Sequence, residues 1–161
     1  MRRLTISVRA CSETMGLLVA MAWADGKLQE AEKEGLRDAG KTLNLPKELR
    51  DRLETFMEKA VSLKELNLEP LSGREKEFAY VASIWMARVA DGIDAKERAL
   101  LRDIGEALKI SDQRQTELMK LATQLRVPPK GEGWTQSIEQ LFRAIPATVE
   151  SAKGDVEVDF E

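Results

Sequence analysis

A chain of 161 residues, 43% apolar and 33% charged, has the length of one ordinary domain and the balance of a folded core rather than of a disordered chain. Its formal net charge of −3 supplies no field for nucleic acid or an anionic membrane, and Arg2, Arg3 and Arg9 are too few to make a basic binding arm. The absence of histidine and the single cysteine, Cys11, exclude imidazole chemistry, a Cys–His nucleophile, a thiolate zinc cluster and an internal disulfide.

The first predicted helix runs from about Ser12 to Ala24, with Met15, Leu18, Val19 and Ala22 on one face. Its apolar run, Met15 to Ala24, falls short of the about 20 residues needed to span a bilayer. Glu13 interrupts the basic start that a signal peptide would need, and a cytoplasmic protein is expected. Asp25-Gly26 ends this helix in a tight turn. A second helix follows from near Gln29, with Leu36, Ala39 and Leu43 facing inward. A third starts near Pro46 and carries Leu49, Leu53, Phe56 and Ala60. The stretch from Leu63 to Leu71, with Asn67 and Pro70, reads as a loop.

The pattern then repeats. Ala24-Asp25-Gly26 recurs as Ala90-Asp91-Gly92, an offset of 66. One residue fewer in the second loop makes the offset 65 thereafter, pairing Leu28 with Ile93, Glu32 with Glu97, Leu36 with Leu101, Arg37 with Arg102, Gly40 with Gly105 and Leu43 with Leu108. The second copy opens with a helix over about 72–90, where Ser72 and Glu75 form a capping box and Phe78, Val81, Trp85 and Val89 make the buried stripe. Asp94 and Glu97 suggest a second capping box, ahead of Leu101, Ile104 and Leu108. Ser111 N-caps the helix that carries Leu118, Leu121 and Leu125. Val127-Pro128-Pro129-Lys130-Gly131 stops the repeat. A further helix is expected from Trp134 to about Ser151, with Ile138, Leu141, Phe142 and Ile145 on its apolar face.

The expected fold is therefore all-α: a bundle of about seven helices, made of two pseudo-symmetric three-helix repeats (about 12–62 and 72–126) and a C-terminal helix, in one domain over 1–153. Residues 154–161 read as an acidic disordered tail, although Val156, Val158 and Phe160 alternate with charges as a weak strand would.

The two loops carry a resemblance. Ala24-Asp25-Gly26-Lys27-Leu28 with Glu32, and Ala90-Asp91-Gly92-Ile93-Asp94 with Glu97, are similar to the paired motifs of the TerB-like family of tellurite-resistance-associated proteins, over roughly Ser12 to Leu125. The resemblance implies a compact helical bundle without catalytic activity, acidic loop residues as ligands of a divalent cation, and a role in bacterial stress response or membrane-associated complexes. Gln29 departs from it, standing where Asp94 stands in the second copy, and the helix after Trp134 lies outside it.

Two readings of the acidic residues compete. Packing of the repeats about a pseudo-twofold axis would bring Asp25, Glu32, Asp91, Asp94 and Glu97 together, as Ca²⁺ or another hard cation requires. Turn formation and helix capping account for the same residues without a metal. An EF-hand is excluded, because Met21 and Trp23 occupy the places of its first acidic ligands. Trp23 and Trp85 read as core, and Trp134 as an anchor for its helix. The expected function is a non-catalytic interaction module with a protein partner, and the rival expectation is a cation-responsive switch. The one candidate cofactor is Ca²⁺ or another divalent cation, no nucleic acid is expected, and the sequence leaves the oligomeric state open.

Overall fold

In the computed structural model, residues 2–24, 28, 30–89, 95–125, 135–149 and 156–160 are described. The chain opens with a strand, β1 (Arg2–Ile6), and turns at Ser7 into helix α1 (Val8–Trp23). The Ser7 hydroxyl accepts the Ala10 N–H at 3.1 Å, satisfying one of the donors that a helix start leaves orphaned. That cap sets the helix start four residues ahead of the expected Ser12. From Ala10 to Ala22 every residue of α1 is buried, the pattern of a helix enclosed on all sides.

Around it follow α2 (Glu30–Thr42), α3 (Lys47–Glu58), a single 3₁₀ turn (Leu63–Glu65), α4 (Gly73–Val89), α5 (Ala95–Ala107), α6 (Asp112–Ala122), α7 (Thr135–Val149) and a closing strand, β2 (Val156–Phe160). Helix α4 is the counterpart of α1, with every residue from Phe78 to Ala87 buried, and these two helices pack on each other as the central pair. Helix α3 lies on α1 as α6 lies on α4. Helix α7 crosses α2, α4 and α6, presenting Leu141, Phe142, Ile145 and Val149 to the core, with Phe142 edge-on to Phe78 at 5.0 Å. The bundle is all-α, as expected. No helix among the described residues is long and apolar enough to cross a membrane.

The duplication is visible in backbone geometry. Helices α2 and α5 end in the same way, at Asn44 (φ 60°) and Lys109 (φ 57°), 65 positions apart. In each the next residue's N–H reaches back to a glycine carbonyl: Leu45 to Gly40 at 3.0 Å, Ile110 to Gly105 at 3.1 Å. This is the Schellman closure: the left-handed conformation, readily adopted by Asn44 and costing about 1–2 kcal/mol at Lys109, is offset by the carbonyls it satisfies. Ser111 caps α6 through the Arg114 N–H at 3.2 Å, while its counterpart Pro46 occupies the cap of α3 without a side-chain bond. The expected Ser72–Glu75 capping box is present, with the Ser72 N–H donating to Glu75 Oε1 at 3.0 Å and the Glu75 N–H to Ser72 Oγ at 3.2 Å.

One expectation needs correction. The acidic tail is ordered over Val156–Phe160, which pairs in parallel with β1 in the register Arg2↔Val156 to Ile6↔Phe160. The alternation of Val156, Val158 and Phe160 was the informative signal. Its pairing partner lies at the other end of the chain, where a basic start hid a strand. Arg143 of α7 stacks over the Phe160 ring at 5.5 Å and ties the strand to the bundle.

Glu13 lies within the first helix, as its expected span implied, and is 0% exposed. Arg52 of α3 donates to its Oε1, and the Asn67 N–H donates to Oε2 at 2.9 Å. Arg52 also donates to the Glu65 carbonyl at 2.8 Å and lies over the Phe56 ring at 4.9 Å. A carboxylate can be buried there because a charged partner and a backbone donor replace its water. The cluster also fastens the 63–71 segment to the first repeat.

Candidate functional site

Of the five acidic residues singled out by the sequence, Asp25, Asp91 and Asp94 lie outside the described residues. Glu32 stands third in α2, and Glu97 stands in the first turn of α5 with its side chain only 2% exposed. Among the described residues no three potential metal ligands gather. Trp85 is fully buried, as expected. Trp23 packs at the core's edge and donates its indole N–H to the Phe56 carbonyl at 3.2 Å. Trp134 lies outside the described residues. Cys11 is buried, and that burial, followed by the nearby charge of Glu75, pushes its thiol well up, leaving no thiolate for chemistry at neutral pH.

The surface features that stand out are two grooves at equivalent places, each between the second and third helices of a repeat. In the first, Arg37 of α2 reaches across to Glu54 of α3 in a two-pronged pair, Nε to Oε1 at 2.5 Å and Nη2 to Oε2 at 3.1 Å. That hydrogen bond raises the Arg37 pKa further, against the opposing effect of desolvation. The groove left beside this bridge has a volume of about 320 Å³, and Lys41, Lys47 and Arg50 make its turn end basic.

Sixty-five positions on, the lining is different. Arg102 stands where Arg37 stood, but Met119 replaces Glu54, so no carboxylate spans the cleft. Met119 is 40% exposed, a large apolar side chain left in contact with water. Neither Arg98 nor Arg102 has an ion-pair partner among the described residues. Glu106 and Asp112 replace Lys41 and Lys47, so this groove is basic at its outer end and acidic at the turn. Its volume is about 690 Å³.

The floor of the second groove is built. Tyr80 of α4, fully buried in its ring, donates its hydroxyl to Gln115 Oε1 at 3.4 Å, and burial raises its pKa. The Gln115 amide donates to the Ile110 carbonyl at 2.8 Å. Gln115 fits there because Gly105 faces it: a Cβ on that glycine would stand 2.6 Å from the carboxamide. On the far side of α6, Arg114 forks onto Glu77 of α4 at 2.8 and 2.9 Å and so fixes the helix.

Sequence reading paired Arg37 with Arg102 but did not reach this site. The signal was the unmatched pair, Glu54 against Met119, and mismatches acquire meaning only once both positions are known to face a groove. No family model, characterised protein or solved structure matches this chain, so the likeness to TerB-like proteins rests on its two Ala-Asp-Gly motifs and their spacing.

Proposed function

We propose that this chain is a non-catalytic helical interaction module of TerB-like type, working in the cytoplasm within a bacterial stress-response or membrane-associated complex. It docks a protein partner through the groove between α5 and α6. The observation that carries this reading is the contrast between duplicated grooves: one bridged by its own Arg37–Glu54 pair, the other unbridged with Met119 bare. The lack of imidazole and of an available thiolate supports the non-catalytic part. A photo-crosslinking amino acid at position 119 in the cell tests it, with the same residue at position 54 as control. A discrete protein adduct at 119 that is absent at 54 is the expected outcome. Equal labelling at both positions, or none at 119, overturns the reading.

A second reading, the divalent-cation switch, rests on the two Asp-Gly motifs and the glutamates that follow them, Glu32 and Glu97. Calorimetric titration of chelator-stripped protein with Ca²⁺ and Mg²⁺ separates the two. Heat of binding that disappears in an Asp25→Asn, Asp91→Asn double variant supports the switch, and no heat with an unchanged melting temperature ends it.

A further inference from the structure

The protein contains its own template for what the open groove accepts. In the first repeat, a guanidinium on the second helix of the triplet is met by a carboxylate from the third, across a cleft. In the second repeat the guanidinium is retained at Arg102, the carboxylate is exchanged for a thioether at Met119, and Arg98 adds a second cation one turn away on α5. An exposed cation pair beside an adaptable apolar side chain matches a ligand that brings a negative charge and an apolar group together.

The ends of the groove give it direction. Helices α5 and α6 are joined by a tight turn, so Asp112 at the head of α6 lies near Glu106 at the tail of α5, while Met119 lies toward Arg102 and Arg98. An anion is favoured at one end and disfavoured at the other. The floor between them, Leu101 and the ring of Tyr80, is apolar.

We infer that the α5–α6 groove binds a partner segment in which a glutamate or aspartate seats on Arg102 and Arg98, taking the place that Glu54 holds in the first repeat, with an adjacent apolar side chain packed on Met119. This rests on the docking reading above and names the chemistry of its partner. A basic residue on the segment, directed at Glu106 and Asp112, sets the orientation.

The test is selection of a displayed library of random 12-residue peptides on the immobilised full-length chain, followed by affinity measurement of the selected peptides on three proteins: wild type, Arg102→Glu and Met119→Glu. Met119→Glu rebuilds the first repeat's internal pair and closes the groove while leaving Arg102 in place. Both positions face solvent, and an unchanged melting curve establishes that each variant is folded. The expected result is a consensus pairing an acidic with an apolar residue, whose affinity falls at least tenfold in both variants and falls equally when the acidic residue is made its amide. A consensus lacking a carboxylate, yet lost in Met119→Glu, overturns the inference and leaves the docking reading standing. Peptides indifferent to both variants, or no selected peptide at all, overturn both.

Discussion

One methyl group added at Gly40 and, separately, at Gly105 should have opposite consequences, although the two glycines occupy the same place in the two repeats. Either substitution removes a glycine from a helix, which is worth up to about 1 kcal/mol by propensity alone. At Gly40 the new Cβ would meet Leu45 Cδ1 at 3.6 Å, Arg50 Cγ at 3.8 Å and Leu53 Cδ2 at 3.9 Å, all ordinary contacts, so Gly40→Ala should stabilise by about 1 kcal/mol. At Gly105 the Cβ would stand 2.6 Å from the Gln115 carboxamide, which must swing away. Its bonds with Ile110 and Tyr80 are then lost, at about 1 kcal/mol for the shorter and less for the 3.4 Å one, with more if the carbonyl is left unsatisfied. The helical gain is cancelled or exceeded, and Gly105→Ala should fall between neutral and about 1 kcal/mol destabilising. Urea unfolding at constant slope would read the difference directly. Melting should separate the two variants by about 2–8 °C for a chain of this size. Adding Gln115→Ala should cost Gly105→Ala far less than it costs wild type, since the bonds are already gone. Equal shifts for the two alanines would refute the reasoning.

Three further outcomes follow from individual side chains. Arg52→Ala leaves the Glu13 carboxylate enclosed with one backbone donor and should destabilise by about 3–5 kcal/mol in denaturant unfolding, whereas Lys47→Ala, which breaks an exposed pair with Asp51, should cost less than about 0.5 kcal/mol. Burial raises the Glu75 carboxyl, but hydrogen bonds from Ser72 and Ser7 outweigh it and hold the pKa below the usual carboxylate range. A folded-state pKa below the unfolded one adds stability that is present above the unfolded value and is lost as pH falls from that value through the folded one. Glu75→Gln should therefore flatten the acid limb of stability measured from pH 5 downward, and an unaltered limb would exclude this role. Cys11 should resist a thiol-specific chromogenic reagent at pH 8 in the native protein and react promptly in denaturant. Rapid reaction of the folded form would contradict its burial.

The parts of the molecule that were legible in the sequence are those written locally. Apolar spacing and caps placed α2 through α7, and Ser72 with Glu75 and Ser111 formed the caps their spacing suggested. The repeat was legible because a common packing problem keeps a common pattern, down to the left-handed residues at Asn44 and Lys109. The strand pair was not, since the pairing of Arg2–Ile6 with Val156–Phe160 spans nearly the whole chain and leaves only a weak alternation in each segment. The burial of Glu13 was not legible either, since it depends on Arg52, 39 positions away, meeting its carboxylate. The candidate groove was hidden for a related reason. It depends on what the copies do not share, and aligning them rewards only what they do.

Because β1 and β2 run in the same direction with Arg2 beside Val156 and Ile6 beside Phe160, a pull applied backward on Arg2 and forward on Phe160 acts along the strands rather than across them. Every rung of the ladder then shares the load at once, instead of parting one after another as a zipper does. The helices behind this clasp feel tension only after it slips. A protein held at both ends within an assembly would thus keep its bundle, and with it the α5–α6 groove, intact until the strands let go.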